Sequence, residues 1–486
     1  MIRESKSDIV RILLMIVVFS QIVLACVNPF VLSDRINSWM FVLNYAVAFL
    51  IIIDLICRGF STHFLAIAFF ACYMLFLMGQ KPFKPEHDVY LTFVRLKLNT
   101  KQYFTFVCIL FIGLMLGFAA YLAYFQWHKR RKGRPAVSTA SSFEGYPLRR
   151  LLMVLLLLTL PCALYMQAKI VWVRGHMAYT TGYLVNVDVP VIIKVANYVY
   201  SSVVLLVLAL KPSKRSLIFI LGTLLLIEGG LQMLQGRRAF FGSTLLFIIW
   251  YLFKYYGIQK IGAKSFIRFG LLAFAMVILF FIVEQIRSDS STKLSLDFVR
   301  RFLVSTGGSD SVIAHTIVKK NDFPASGLAY LVNPLVNNPL GNLLRGKISE
   351  PQGLGYLAQQ NSFSHWISYL TSPSLYLSGH GMGSCYLAET YLAFGMVGVC
   401  LGAAFVGWGL SILNEAGFTN NIFRTAFVFY CVKHVFSLPR DGFFSWAGNL
   451  LYLLFTFLIL YPFYEYSKPR TIAFLQNKDG FNERRI

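Results

Sequence analysis

Residues 103–127 read Tyr-Phe-Thr-Phe-Val-Cys-Ile-Leu-Phe-Ile-Gly-Leu-Met-Leu-Gly-Phe-Ala-Ala-Tyr-Leu-Ala-Tyr-Phe-Gln-Trp, and they run straight into His128-Lys129-Arg130-Arg131-Lys132-Gly133-Arg134. The first part carries no charge and exceeds the roughly 20 apolar residues that a helix needs to cross a bilayer. The basic cluster marks its cytoplasmic end, because Lys and Arg collect on that side. One stretch thus supplies both a membrane span and its direction.

The pattern recurs along the chain. Apolar runs at 9–32, 39–57, 64–79, 103–127, 151–172, 189–210, 216–235, 239–256, 269–286, 385–413, 425–438 and 443–466 predict an all-α polytopic membrane protein with about twelve transmembrane helices. With twelve crossings the short basic clusters fall on one face: Arg3, Lys6 and Arg11; 128–134 with Arg149 and Arg150; Lys211, Lys214 and Arg215; Lys260, Lys264 and Arg268; and Lys468, Arg470, Arg484 and Arg485. Both termini are therefore expected in the cytoplasm. The loop 80–102 is the exception, basic (Lys81, Lys84, Arg95, Lys97, Lys101) yet on the outer side. The run 9–32 is too long for a signal peptide and lacks a small-residue cleavage site, so it reads as a retained span.

Composition agrees. The 486 residues are 57% hydrophobic and only 14% charged, with a mean hydropathy of +0.62, which excludes an ordinary soluble protein. The net charge of +24 matches cytoplasmic loops facing anionic lipid. Its basic residues are scattered among spans and form no nucleic-acid-binding motif, so no nucleic acid is expected as partner. The eight cysteines lie in or beside apolar segments with no CxxC or metal-type spacing, which points away from disulfides and zinc.

Three regions follow: spans one to nine over 1–286, a large outward loop over 287–384, and spans ten to twelve with a cytoplasmic tail over 385–486. The loop between spans nine and ten is too long for a passive connector. Ser295-Leu296-Asp297-Phe298-Val299-Arg300-Arg301-Phe302-Leu303 predicts an amphipathic helix. Further helices are expected at 309–319, 326–345 and 354–370, broken by Pro324, Pro334, Pro339 and Gly353. Trp366, Tyr369 and Tyr376 favour a headgroup zone. The segment reads as short helices roofing a cavity. No internal repeat relates the two halves, which weighs against inverted-repeat transporters.

Against this topology Gly236-Arg237-Arg238-Ala239-Phe240-Phe241-Gly242 stands out. It places two guanidinium groups at the outer face with no acidic residue close by, a costly position unless something anionic meets them. Arginine suits phosphate through paired hydrogen bonds. Arg440, in the outward turn Ser437-Leu438-Pro439-Arg440-Asp441-Gly442-Phe443, and Arg287, beyond Glu284 at the end of span nine, share that face. One such arginine ordinarily snorkels to headgroups. Four together point to a bound pyrophosphate on a lipid-linked substrate.

A second constellation is Gly379-His380-Gly381-Met382-Gly383-Ser384-Cys385-Tyr386-Leu387-Ala388-Glu389. Its glycines would let main-chain N–H groups approach a ligand at a helix start, a weak signal alone. Glu389, one turn inside span ten, is either a salt-bridge partner for an arginine or a base that takes a proton from a sugar hydroxyl. His380 is the next candidate base, with His315 and His365 behind it, although loop histidines are usually just solvated. Asp441 sits at the cavity rim. Glu228 reads as neutralising a neighbouring helix, and Lys433 and His434 as lining the cavity or bridging helices. No Walker motif, DxD-like metal pair, HExxH or serine-nucleophile elbow is present.

Taken in order, Gly-Arg-Arg-x-Phe-Phe after a span, the large outward loop, Gly-x-Gly-Ser…Ala-Glu-x-Tyr-x-x-Phe-Gly leading into the tenth span over 381–395, and the Arg-Asp-Gly-Phe turn resemble bacterial O-antigen polymerases of the Wzy type. The likeness covers about 216–445, and the N-terminal half matches in hydropathy alone. It implies a GT-C-like inner-membrane glycosyltransferase acting at the periplasmic face. The donor and acceptor would be undecaprenyl-pyrophosphate-linked glycans, joined with inversion and without metal or other cofactor, beside membrane lipid and a chain-length regulator. By position it implies Arg237, Arg238, Arg440 and then Arg287 as pyrophosphate ligands, with Glu389 the leading base or acceptor orienter and His380 behind it; Asp441 completes the candidate catalytic residues. A lipid-linked-oligosaccharide flippase and an O-antigen ligase are the alternatives.

Overall fold

The computed structural model describes residues 2–31, 33–80, 88–91, 94–132, 146–176, 184–185, 187–258, 278, 297–337, 352–419 and 421–482. Its long helices are α1 (Ile2–Val31), α2 (Asp34–Gly59), α4 (Thr100–Lys132), α5 (Tyr146–Gly175), α6 (Val191–Ala209), α7 (Lys214–Leu234), α8 (Arg238–Tyr256), α15 (Tyr386–Glu415) and α17 (Ala447–Asn482), with shorter α3 (Phe64–Met78) and α16 (Ile422–Val435) between them. Among the described residues nine helices are long and apolar enough to cross a membrane, so the chain is an all-α, multi-pass membrane protein.

Nine differs from the expected twelve for particular reasons. The run 269–286 lies outside the described residues. The run 64–79 forms only the 15-residue α3, about 22 Å long at 1.5 Å per residue and short of a hydrocarbon core. The run 425–438 divides into the 14-residue α16 and a 3-10 turn at Leu438–Arg440. Shortness suits α3 to an interior place: Leu65, Phe69, Phe70, Tyr73, Leu77 and Met78 are all buried. A helix apolar all round belongs in a core.

Helix α4 packs centrally against α15. The chains approach where side chains are smallest: Gly407 lies against the Gly117 carbonyl, and Gly113 against Leu387 and Tyr73. Small residues permit such contact between membrane helices. The other face of α15 exposes Val397, Leu401, Phe405 and Trp408 at helical spacing, a stripe that hydrocarbon would cover. Buried amides join the first helices, Asn28 donating to Asn37 at 2.6 Å and Gln21 to Asn44 at 3.1 Å.

The basic loop after α3 contains an antiparallel hairpin of β1 (Asp88–Leu91) and β2 (Val94–Lys97). The segment before α15 holds α9 (Asp297–Thr306), α10 (Asp310–Lys319), α11 (Gly327–Val336), α12 (Leu354–Gln359), α13 (Phe363–Thr371) and α14 (Pro373–Leu377). Pro334 does not break α11 as expected. It falls in the last turn, where a proline removes one donor and leaves the helix before it intact. Helix α10 is anchored to the bundle by Gln80, which donates to the buried Asp310 carboxylate. Gly307 faces Gly79 so closely that a Cβ at Gly307 would sit 2.5 Å from the Gln80 nitrogen.

Candidate functional site

Helix α15 begins after the glycine-rich loop, with Gly379 at φ 95° and Gly383 at φ 80°, backbone angles that glycine adopts readily. Three of the loop's N–H groups are used within the protein. Gly379 N–H donates to the Tyr376 carbonyl at 3.0 Å, His380 N–H to Leu375 at 3.0 Å, and Met382 N–H to the Ser368 hydroxyl at 2.9 Å. Internal hydrogen bonds use these groups because the loop must be pinned to α13 and α14. His380 is steered from one side by Ser378, whose hydroxyl lies 3.0 Å from Nδ1.

Glu389 faces inward from the first turn of α15 and is 4% exposed. Its carboxylate bridges two segments. Oε1 accepts from the Ser384 hydroxyl at 2.6 Å, and Oε2 accepts from the Phe443 N–H at 2.8 Å. The recorded partners are therefore a serine and a main-chain amide, rather than the arginine considered from the sequence. A Cβ on Gly442 would lie 2.5 Å from Oε1, so the carboxylate and the turn can approach only with glycine there.

That turn carries Arg440 and Asp441. Arg440 N–H donates to Ser437 at 2.8 Å, and its guanidinium carbon lies 5.9 Å from the Phe76 ring centre, a cation–π distance. Asp441 Oδ1 accepts from the Gly442 N–H at 2.9 Å. Burial pushes the Asp441 carboxyl up to about 6, against the lowering effects of the Gly442 and Ser445 hydrogen bonds and of Arg440.

Arg237 and Arg238 belong to a second turn. Gly236 adopts φ 91° and α8 starts at Arg238, with exposed Arg237 at its N-cap. Arg237 N–H donates to Gln232 at 3.0 Å. Its guanidinium carbon stands 5.9 Å from the Phe240 ring centre, within electrostatic reach of Tyr198. Arg238 is half-buried. Arg287 lies outside the described residues.

The remaining titratable candidates are more enclosed than expected. His315 is 3% exposed, and burial followed by the Lys319 charge lowers its pKa to about 4. His365 is held neutral in the same way, lowered to about 4 by burial, with Nδ1 3.0 Å from the Tyr376 hydroxyl. Loop histidines usually sit in water; here α10 and α13 pack inward and remove it. Glu228 does neutralise a neighbouring helix, through an ion pair with Lys433.

The structure thus brings together Glu389, Ser384, Arg440 and Asp441, and sets Arg237 with Phe240 and Tyr198. Sequence reading passed over Ser384 as a partner of Glu389, although the spacing of five across a helix start was a usable signal. It also passed over Ser201 and Gln167, whose partners lie 27 and 68 residues away and leave no local trace.

Residues 9–468 match the family model described as O-antigen polysaccharide polymerase Wzy. Neither a curated protein nor a solved structure matches the chain. The match takes in the arginine pair, the glycine-rich loop with Glu389 and the Arg440 turn, so the chain belongs to the O-antigen polysaccharide polymerase Wzy family.

Proposed function

We propose that this polymerase transfers a growing glycan from undecaprenyl pyrophosphate to the terminal sugar of a new undecaprenyl-pyrophosphate-linked repeat unit. The reaction is placed at the periplasmic face of the bacterial inner membrane, with both termini in the cytoplasm. The acceptor hydroxyl oxygen bonds to the anomeric carbon while the bond from that carbon to the pyrophosphate oxygen breaks. The electron pair leaves with pyrophosphate, and the anomeric centre inverts without a metal. A chain-length regulator is expected in the same membrane.

In this reading Arg237, Arg238 and Arg440, with Arg287, hold the pyrophosphate and stabilise charge as it leaves. The observation that carries it is the Glu389 clamp, which fixes Arg440 and Asp441 in one buried turn. Glu389 has both oxygens engaged, which supports a role in orienting the turn and the acceptor. Asp441, raised to about 6, has a proton affinity suited to a general base near neutral pH. It is proposed to take the acceptor proton, with His380 the alternative.

Purified protein in nanodiscs, supplied with lipid-linked repeat units, should produce a ladder of longer lipid-linked glycans. Repeat units that cross a vesicle bilayer without lengthening would refute the transfer reaction.

A further inference from the structure

Two features that are costly in a membrane helix coincide in α7. Leu225–Gly230 forms a π-helical turn, a rare conformation that inserts one residue and occurs often at functional sites. Glu228, within it, is a carboxylate at 8% exposure. It is held from two sides. The Ser201 hydroxyl of α6 donates to Oε1 at 2.6 Å, and Lys433 of α16 forms an ion pair with Oε2. Replacing a buried ion pair by apolar side chains is often neutral or stabilising. Stability alone therefore does not explain why three helices meet through charge at this depth. A defined register does.

The pair stands beneath both arginine-bearing turns. Above Glu228, Gly229 packs on Phe241, 3.2 Å from where its Cβ would be. Gln232, one turn on, accepts from Arg237 N–H at 3.0 Å. Gln235 donates to Gln167 at 2.7 Å, and Gln167 to Asn197 at 3.3 Å. The inserted residue of the π turn rotates everything after it by about 100°, one residue's share of a 3.6-residue turn. It thereby sets where Arg237 and Arg238 face. Above Lys433, the His434 carbonyl accepts from Ser437 Oγ at 2.9 Å, and Ser437 accepts from Arg440 N–H at 2.8 Å. Segments of helix backbone, joined by these hydrogen bonds and one ion pair, therefore connect one arginine turn to the other.

We infer that Ser201, Glu228 and Lys433 are positioning residues that set the spacing between the Arg237–Arg238 turn and the Arg440 turn, so that the two turns grip the two phosphates of one pyrophosphate. The inference rests on the proposed pyrophosphate role of those arginines. Removing one member of the ion pair strands a charge in the bilayer and endangers folding. Removing both charges restores neutrality but abandons the register.

The test uses the full chain in nanodiscs, titrated with a polyprenyl pyrophosphate and with the matching polyprenyl monophosphate, alongside thermal melting. The double variant Glu228→Gln/Lys433→Met should melt close to the parent protein yet lose about tenfold in diphosphate affinity, while monophosphate affinity changes little. Its preference for two phosphates over one should collapse. Ser201→Ala, which keeps both charges, should lose about fivefold in the same preference through one missing hydrogen bond. A double or Ser201→Ala variant with the parent's diphosphate preference would overturn the positioning role. Parent protein that does not prefer diphosphate, or that is insensitive to Arg238→Lys, would instead refute the underlying pyrophosphate reading, and the triad's role with it.

Discussion

The two arginine-bearing turns are built in opposite ways. The Arg440 turn is enclosed: Leu438 and Pro439 are buried, Gly442 lies against a carboxylate, and Glu389 ties the Phe443 amide to α15. The Arg237 turn is open: Arg237 is exposed, Phe240 beside it is 42% exposed, and its anchoring comes from the helix beneath. Rigid placement and adaptable reach are therefore divided between them. In the proposed reaction, a long lipid-linked substrate that enters, reacts and leaves would meet one wall that stays fixed and one that can follow it.

The comparison can be broken most sharply at Glu389. Glu389→Gln keeps size but replaces one acceptor oxygen with a donor facing either the Ser384 hydroxyl or the Phe443 amide. The expected result is folded protein with polymerisation reduced by about 100-fold or more, the scale of losing a charged group that organises an active site. A normal glycan ladder on gels would show that the enclosed turn needs no clamp. Next is Arg238→Lys, which retains charge but not the forked geometry. A loss of about tenfold to 100-fold in rate is expected with unchanged melting, and an unaltered rate would remove the open turn from the reaction.

Asp441 separates activity from stability. Its carboxyl is raised by burial from the ordinary 3.8 to about 6, so the ionised form is disfavoured in the fold. Acidification through about 6 should stabilise the protein as the group takes up its proton. The same change should slow transfer, because a protonated carboxyl cannot take the acceptor's proton in the proposed reaction. Rate and melting temperature followed from pH 8 to pH 5 should therefore move in opposite directions, and Asp441→Asn should lose most of that pH dependence in both. Parallel curves would assign the base elsewhere. The smallest effect is expected for Ser384→Ala, which removes one hydrogen bond to Glu389 while leaving the Phe443 link. A cost of about 1 kcal/mol, read by thermal melting, is expected with a modest loss of rate.

The amino-acid sequence is most legible where one residue type carries the physics. Apolar length placed α1, α2 and α4–α8, because a bilayer demands it whatever the neighbours. Amphipathic spacing located α9, and the motif order around Arg237, Glu389 and Arg440 pointed to the family. The sequence is less legible wherever burial depends on partners. Residues 64–79 look like a span by hydropathy, yet α3 is a short interior helix, since composition does not distinguish contact with lipid from contact with other helices. The glycine-rich loop is a weak signal for anion binding in the sequence, and the sequence does not show that Ser368, Tyr376 and Leu375 take three of its N–H groups.

Sequence by itself determined that this chain crosses a membrane many times as helices, that arginines recur in the turns at 236–242 and 437–443, and that it resembles a Wzy polymerase. Those conclusions rest on local quantities: length, hydropathy, charge bias and motif order. Only the tertiary structure decided that Glu389 clasps the Arg440 turn rather than an arginine, and that Glu228 reaches Lys433 across a π turn. Such contacts join residues 54 positions apart in the first case and farther in the second, and which of many buried polar groups meet is settled by how helices pack.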